Sequence, residues 1–287
     1  MTWLFLGAAA AIVASAVLAW KWVLGVRRVA LAAALIAGVS LTLLAAAGVR
    51  GFLAGLAVGS ATVAVEAAIL TYRFYRDPER TAPQGDLVLS PADGSVVYVR
   101  RVEAGDTPVA TKHGRSQWLS ELTGGALDDG PVMVIGIAMS FLDVHVNRSP
   151  VAGTVLETTH LPGDFLSLRH ESAEYTNERA TTIIDTGSCK IAVVQIASRL
   201  VRQIVVFLGP GQRVLAGERL GVIRLGSQVD LVLPDGPGLR VLVAKGDRVT
   251  AGETILAALP ASDVVRVERA DSGEAAVSVR PRTTDLR

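Results

Sequence analysis

Residues 225–234 read Leu225-Gly226-Ser227-Gln228-Val229-Asp230-Leu231-Val232-Leu233-Pro234. Val229, Leu231 and Leu233 recur at every second position, which predicts a β-strand with one face in a core. The Gly-Ser pair in front of this strand is by itself a common turn dipeptide. Its position makes it informative, because a serine that begins a strand is held by the sheet on its C-terminal side.

The chain from residue 87 onward has a β pattern throughout. Gly, Pro and Asp separate short Val-rich runs, which is typical of many short antiparallel strands. The pattern lacks the alternation of strands and helices that a doubly wound nucleotide-binding fold requires. Residues 196–204 favour a short helical or irregular turn. The predicted strands are 87–89, 95–102, 132–139, 151–158, 180–185, 190–197, 203–208, 229–233 and 240–244.

Two pairs of segments repeat within this part of the chain. Residues 210–218 are echoed by residues 245–253, and residues 90–96 are echoed by residues 149–155. These segments resemble the hairpins of lipoyl- and biotinyl-type flattened barrels. The resemblance implies a mainly β, antiparallel domain, built as a barrel or sandwich from related hairpins.

The N-terminal quarter of the chain is far more apolar than the rest. Mean hydropathy is +0.42, and the excess lies in three runs, 2–20, 29–49 and 51–71. Each run is close to the length of about 20 residues that crosses a bilayer as a helix. A cleaved signal peptide is the alternative for the first run, but no charged region precedes it. For the second and third runs, the alternative to two spans is a shallow re-entrant hairpin.

Basic residues flank the runs asymmetrically. Lys21, Arg27 and Arg28 follow the first run, and Arg73 and others follow the third. The positive-inside rule then predicts three spans, with the N-terminus outside and the β domain in the cytoplasm. Within run three, Glu66 is either a contact to a neighbouring helix, which we favour, or a functional group.

The chain therefore divides into four segments. We expect a transmembrane region at 1–72, a juxtamembrane linker at 73–86, a β domain at 87–262 and a disordered tail at 263–287. The net charge of +1 argues neither for nor against a nucleic-acid partner, but the sequence has no long basic run, and we expect no such partner. A single cysteine excludes an intrachain disulfide and a zinc site built on cysteines, and we expect no metal.

Five short motifs occur in a recognisable order. They are Ser90-Pro91-Ala92-Asp93-Gly94, Asp143-Val144-His145, Ser149-Pro150-Val151-Ala152-Gly153, Asn177-Glu178-Arg179 and Gly226-Ser227. Together they resemble the phosphatidylserine decarboxylase proenzymes of the short bacterial and archaeal type, over about residues 73–260. An aromatic-Arg-Asp-Pro segment at 75–78 is similar to the one that these enzymes carry at this position.

The resemblance implies a membrane-bound, pyruvoyl-dependent carboxy-lyase. Autocatalytic cleavage between Gly226 and Ser227 would leave a β chain of 1–226 and an α chain of 227–287. Ser227 would become a pyruvoyl group, which forms a Schiff base with the substrate and accepts electrons as pyridoxal phosphate does. The expected substrate is phosphatidylserine and the product the ethanolamine phospholipid, made at the cytoplasmic side of the cell membrane. A homodimer is expected from the family alone.

The resemblance also suggests roles for two other residues. His145 is the candidate base or proton donor, because a free serine is a weak nucleophile, and Asp93 is the acid that would orient it. A hydrogen-bonded structural histidine and a simple Asp-Gly turn are the respective alternatives. Arg148 stands where many family members carry a second histidine, so whether His145 serves cleavage, decarboxylation or both stays open.

Four further residues are candidates for substrate binding. By the same resemblance they are His160, Phe165, Glu178 and Arg179, although Glu178 and Arg179 are equally compatible with a structural ion pair.

Three rival functions are a membrane-anchored lipoyl-like binding or adaptor module, a serine hydrolase and an inactive relative. The first lacks a lysine in the usual carrier pattern, the second lacks the Gly-x-Ser-x-Gly elbow, and the third is allowed by Arg148.

Overall fold

A computed structural model describes residues 2–22, 26–49, 51–103, 127, 130–161, 178–197, 204–223 and 227–260. Three helices precede the β domain, each long and apolar enough to cross a membrane. With a rise of about 1.5 Å per residue, they exceed the thickness of about 30 Å of a hydrocarbon core. Their length favours full spans over the re-entrant hairpin. They are α1 (Thr2–Trp22), α2 (Val26–Ala46) and α3 (Phe52–Tyr75).

Helices α1 and α3 run side by side in the same direction. Their backbones touch at Gly7 and Gly55, where a Cβ on Gly7 would lie only 2.0 Å from the Gly55 carbonyl oxygen. Toward their C-terminal ends, the Ser15 hydroxyl donates a hydrogen bond to the Glu66 carboxylate. Glu66 thus contacts a neighbouring helix, as we favoured from the sequence.

Fourteen strands among the described residues form three antiparallel sheets. The large sheet has the order β13-β2-β3-β11-β7-β6-β5-β9, and the small sheets have the orders β1-β14-β12 and β4-β10-β8. The strands are β1 (Leu87–Leu89), β2 (Gly94–Val102), β3 (Val132–Met139), β4 (Val146–Arg148), β5 (Gly153–Leu161), β6 (Arg179–Asp185), β7 (Lys190–Ala197), β8 (Ile204–Val206), β9 (Arg213–Val214), β10 (Arg219–Ile223), β11 (Ser227–Pro234), β12 (Arg240–Val241), β13 (Arg248–Val249) and β14 (Ile255–Ala258).

The mainly antiparallel β fold after apolar helices is confirmed, with five strands that the sequence pattern did not predict. These are β4, β9, β10, β13 and β14, which are too short, at two to five residues, to show alternation. Helix α3 also continues to Tyr75, so the linker begins at Arg76, where the backbone turns to extended angles ahead of Pro78. The predicted turn at 196–204 lies mostly outside the described residues, and so does the predicted tail at 263–287.

The main core lies between one face of the large sheet and the two small sheets. Strand β11 runs through the centre of the large sheet between β3 and β7, and Val229, Leu231 and Leu233 are fully buried in this core. The predicted strand at 229–233 is therefore confirmed, and it is longer at both ends. Because β11 has a partner on each side, its position is fixed along its whole length.

The opposite face of β11 carries a buried polar network. The Tyr98 hydroxyl donates a hydrogen bond to the carboxylate of Asp230 at 2.6 Å, and Gln228 donates to both groups at 2.9 Å. Gly136 lies between Tyr98 and Asp230 in the sheet register, and a Cβ there would be 2.4 Å from the Tyr98 ring. The Tyr98 ring lies directly over Gly136 to reach Asp230. Any side chain at position 136 would displace the ring, so the network requires glycine there.

The strand order has an internal pseudo-two-fold correspondence. Read from opposite edges, β13-β2-β3-β11 matches β9-β5-β6-β7, and β1-β14-β12 matches β4-β10-β8. The repeats seen in the sequence occupy matching positions. Ser90 and Ser149 both donate a side-chain hydrogen bond of 2.7 Å to the backbone carbonyl two residues later, and their own carbonyls accept from Gly252 and Gly217.

Substituting Gly136→Ala tests the polar network. The added methyl group displaces the Tyr98 ring, which breaks its bond to buried Asp230 and should lower the unfolding free energy by about 1–3 kcal/mol. Thermal unfolding of the detergent-solubilised chain measures this loss. Gly130→Ala is the matched control, because no atom lies within 4 Å of its added Cβ; equal melting temperatures for the two variants would contradict the account.

Candidate active site

The large sheet brings most of the candidate residues to one of its ends. Asp93 directly precedes β2, His145 lies in the connection after β3, and Ser227 begins β11. His160 lies near the end of β5, and Glu178 precedes β6. Because neighbouring strands are antiparallel, these starts and ends meet at the same end of the sheet.

Ser227 has two strand partners at this end. Its backbone is opposite Met139 of β3 and Ala197 of β7. The backbone N–H of Ala197 donates to the carbonyl of Glu178, so Glu178 lies two strand spacings, about 10 Å, from Ser227. Gly226, the other predicted residue of the cleavage site, lies outside the described residues.

His145 is buried and held by its backbone surroundings. Its Nδ1–H donates a hydrogen bond of 2.8 Å to the carbonyl of Asp143, and its ring packs against Phe74 with centroids 4.1 Å apart. Only 1% of the residue is exposed, and its Nε2 has no hydrogen-bond partner within the described part of the chain. With Nδ1 carrying the proton, Nε2 keeps a free lone pair and can accept a proton.

Burial lowers the pKa of His145 from 6.5 to about 4. The carbonyl of Asp143 and the charges of Asp143 and Asp93 oppose this effect, and the charge of Arg76 adds to it. The imidazole is therefore neutral at physiological pH. A neutral imidazole with a free nitrogen is the form that acts as a general base.

Asp93 has other partners than the sequence predicted. Its carboxylate forms two hydrogen bonds with Arg80, at 2.6 and 3.0 Å, and accepts the backbone N–H of Ala251 at 2.9 Å. It also accepts the N–H of Val144, next to His145, at 3.4 Å. No hydrogen bond joins the described Asp93 and His145 side chains. Asp93 therefore acts on His145 without the direct contact of a triad. It does so through the charge of its carboxylate and through its hydrogen bond to the Val144 N–H.

Asp143 belongs to one of the five motifs, but the sequence analysis gave it no role in the site. Its buried carboxylate pairs with Arg248 at 2.6 Å and accepts the backbone N–H of Ser140 at 2.7 Å. Burial alone would raise the pKa of Asp143, but these hydrogen bonds outweigh burial and lower it. The charged carboxylate fixes the turn from which the Asp143 carbonyl orients His145. The Asp-x-His spacing was the available signal.

Arg148 anchors the segment that follows the membrane helices. Its guanidinium donates to the carboxylate of Asp77 and to the carbonyls of Pro78 and Gly217, each at 2.9 Å. Arg219 pairs with the same Asp77 carboxylate. Because arginine stays protonated in proteins, Arg148 cannot replace a histidine base. Its role here is to hold the linker on the domain.

Asn147 and Gln195 form a second group that the sequence analysis did not identify. Both are fully buried, and the Gln195 amide donates to the Asn147 oxygen at 2.8 Å. The Asn147 amide in turn contacts the sulfur of Met139 at 3.8 Å. Since Met139 is opposite Ser227, this group ties the His145 segment to the start of β11. Nothing in the sequence pattern links these positions.

The candidate substrate residues are only partly brought together. His160 Nε2 lies 2.8 Å from the carboxylate of Glu178, so the described partner of Glu178 is His160. Arg179 is 7% exposed at the start of β6, two strands from Gln228. Phe165 lies outside the described residues.

Comparison with known proteins gives a consistent match. The family model for phosphatidylserine decarboxylase matches residues 67–257. A protein from Xanthobacter autotrophicus is 40% identical over 200 residues, which cover 69% of this chain and 78% of that protein. Proteins from Geobacter sulfurreducens and Geobacter metallireducens are 38% and 39% identical over 189 residues, which cover 65% of this chain and 76% of each relative. All three are named phosphatidylserine decarboxylase proenzyme.

The ion pair between Arg80 and Asp93 gives a stability prediction. Arg80→Leu leaves a buried carboxylate without its cation, which should lower the unfolding free energy by about 3–5 kcal/mol. Arg80→Lys should restore only part of this loss, because lysine cannot form the two-pronged contact. Denaturation in detergent measures both, with exposed Arg73→Leu as control. An Arg80→Leu chain as stable as the control would refute the assignment.

The pKa of His145 predicts an acid-dependent loss of stability. The unfolded chain takes up a proton below pH 6.5, whereas the folded chain does so only near pH 4. Stability is therefore lost as the pH falls through this window, by roughly 3 kcal/mol in total. The unfolding free energy is measured at pH 7 and at pH 4 for wild type and for His145→Gln. The loss between the two pH values should be larger for wild type by this amount, and equal losses would contradict the prediction.

Proposed function

This chain belongs to the phosphatidylserine decarboxylase family, and from that membership we propose that it converts a serine phospholipid into the ethanolamine phospholipid and carbon dioxide. The proposal includes autocatalytic cleavage between Gly226 and Ser227, in keeping with the proenzyme names of the relatives. The catalytic centre is the end of the large sheet where Ser227 begins β11.

The observation that carries this proposal is the state of His145. A buried, neutral imidazole has its Nδ1 committed to a backbone carbonyl, and its Nε2 has no partner among the residues that the structure describes. A buried polar atom without a hydrogen bond is costly, so it calls for an explanation. A proton acceptor reserved for chemistry provides one.

Cleavage follows from the chemistry of a Gly-Ser peptide bond. The Ser227 hydroxyl attacks the Gly226 carbonyl carbon while His145 accepts its proton. The C–N bond between the two residues then breaks, the Ser227 nitrogen takes up that proton, and the amide becomes an ester. Elimination removes the Cα proton of residue 227 and breaks its Cβ–Oγ bond, which releases the β chain with a C-terminal Gly226 carboxylate. Water adds to the remaining dehydroalanine and ammonia leaves, so that residue 227 ends as a pyruvoyl group.

The residues around position 227 suit such a group. It would stand at the first position of a central strand held by β3 and β7, between Met139 and Ala197. The pyruvoyl carbonyl supplies an electrophile that accepts the electrons left by departing carbon dioxide, as pyridoxal phosphate does elsewhere. We assign the proton transfers of both cleavage and turnover to His145, because Arg148 cannot lose its proton.

The membrane helices fit a substrate that is itself a membrane lipid. Apolar helices α1 to α3 support membrane association. The basic residues Lys21, Arg27, Arg28 and Arg73 support a catalytic domain on the cytoplasmic side of the cell membrane. His160, Phe165, Glu178 and Arg179 stay candidates for headgroup binding, and the homodimer stays a prediction.

Intact mass spectrometry of the full-length chain tests the cleavage. Wild type should give two chains, 1–226 and 227–287, with the second blocked at its N-terminus by pyruvoyl. Ser227→Ala should give one uncleaved chain, and Ser188→Ala, in an exposed turn, should be cleaved like wild type. A single intact wild-type chain would reject the pyruvoyl mechanism and favour an inactive relative.

A further inference from the structure

An open groove runs between α1 and α3 on the membrane side of the molecule. Its volume is about 660 Å³, within the range of about 300–1,000 Å³ of ligand pockets. Trp3 and Phe52, in edge-to-face contact, stand at one end, and Ala14 and Ala67 line the end nearer the β domain. Its walls are almost wholly apolar, so its occupant is a hydrocarbon chain or another apolar surface.

The groove shares one face of α3 with the residue that touches His145. Phe74 lies 7 residues beyond Ala67, 11 beyond Val63 and 18 beyond Leu56, all three of which line the groove. These intervals are close to two, three and five whole turns of 3.6 residues. All four side chains therefore project from the same side of α3.

Phe74 places the catalytic domain above this face. Its ring is buried against Phe141, with centroids 5.3 Å apart, and against His145, with centroids 4.1 Å apart. Arg76 extends the contact by donating to the Leu142 carbonyl at 3.1 Å. The candidate site therefore lies above the groove, on the side of the β domain. The nearest groove residue on α3, Ala67, is about 10 Å along the helix axis from Phe74.

On these observations, and resting on the proposed function, we propose that the domain-proximal part of the α1–α3 groove binds one acyl chain of the serine phospholipid substrate. A lipid in the leaflet on the side of the β domain has its headgroup at the membrane surface. Its acyl chain reaches about 15 Å deep, which is half of a hydrocarbon core. A chain lying between Ala14 and Ala67 would bring the headgroup of the same lipid under His145.

Two adjacent alanines provide a matched test. Ala67 lines the groove, whereas Ala68 does not, and both are exposed on α3 at nearly the same depth. Ala67→Leu and Ala68→Leu add the same side chain to the same helix. Each variant is assayed for turnover of dioleoyl phosphatidylserine in vesicles, of dihexanoyl phosphatidylserine in solution, and for cleavage of the precursor.

We expect Ala67→Leu to lower kcat/KM for the dioleoyl lipid by roughly tenfold, through a higher KM. Cleavage and turnover of the dihexanoyl lipid should match Ala68→Leu, because neither needs the groove. Ala64→Leu, also in the groove, replaces Ala67→Leu if the latter fails to fold and cleave.

Equal kinetics for the groove variant and Ala68→Leu would overturn the inference. A groove variant that instead loses self-association, without any dependence on chain length, would also overturn it and identify the groove as an interface between two copies. A third result is distinct from these two. If the cleaved wild type is inactive on both lipids, the proposed substrate is rejected, and the inference is rejected with it.

Discussion

The buried ion pair between Arg80 and Asp93 joins the two parts of the molecule. Arg80 belongs to the segment that follows the membrane helices, and Asp93 directly precedes β2, at the end of the large sheet that holds the candidate active site. Arg80 also donates a hydrogen bond to the Ala251 carbonyl. It therefore connects two of the repeated segments, 90–96 and 245–253, which belong to the same half of the β domain. A buried pair of this kind is costly to break, because either partner alone would be an uncompensated charge. The segment after the membrane helices is therefore joined to the candidate active site by a buried contact.

The internal correspondence distinguishes the end of the sheet with the candidate active site from its equivalent. Asp93 in the first repeat matches Ala152 in the second, which has no carboxylate. Likewise the start of β11, where Ser227 stands, matches the start of β7 at Lys190, which follows a tight turn after β6. The two halves share a backbone plan, but the acid occurs in one half only, and the Gly-Ser pair of the other half, Gly187-Ser188, lies in the turn before β7 rather than at the start of the strand. The candidate catalytic residues Asp93 and Ser227 therefore lie at only one of two equivalent sheet ends.

Local patterns predicted much of the fold and part of the site. Alternation along 229–233, the repeated turns and the apolar runs are short-range signals, and each corresponds to an observed element. The partners of Asp93 were not predictable, because Arg80 and Ala251 meet it only after the sheets assemble. The same holds for the contact of Phe74 with His145, which joins the last turn of a membrane helix to a connection between strands.

The central claim, that residue 227 is the electrophile of a lipid decarboxylase, is tested most directly by reductive trapping. Purified full-length chain is incubated with phosphatidylserine vesicles and cyanoborohydride, and its peptides are mapped by mass. The account predicts a covalent lipid adduct on residue 227, at the N-terminus of the cleaved α chain. A cleaved α chain whose residue 227 stays unmodified would contradict it.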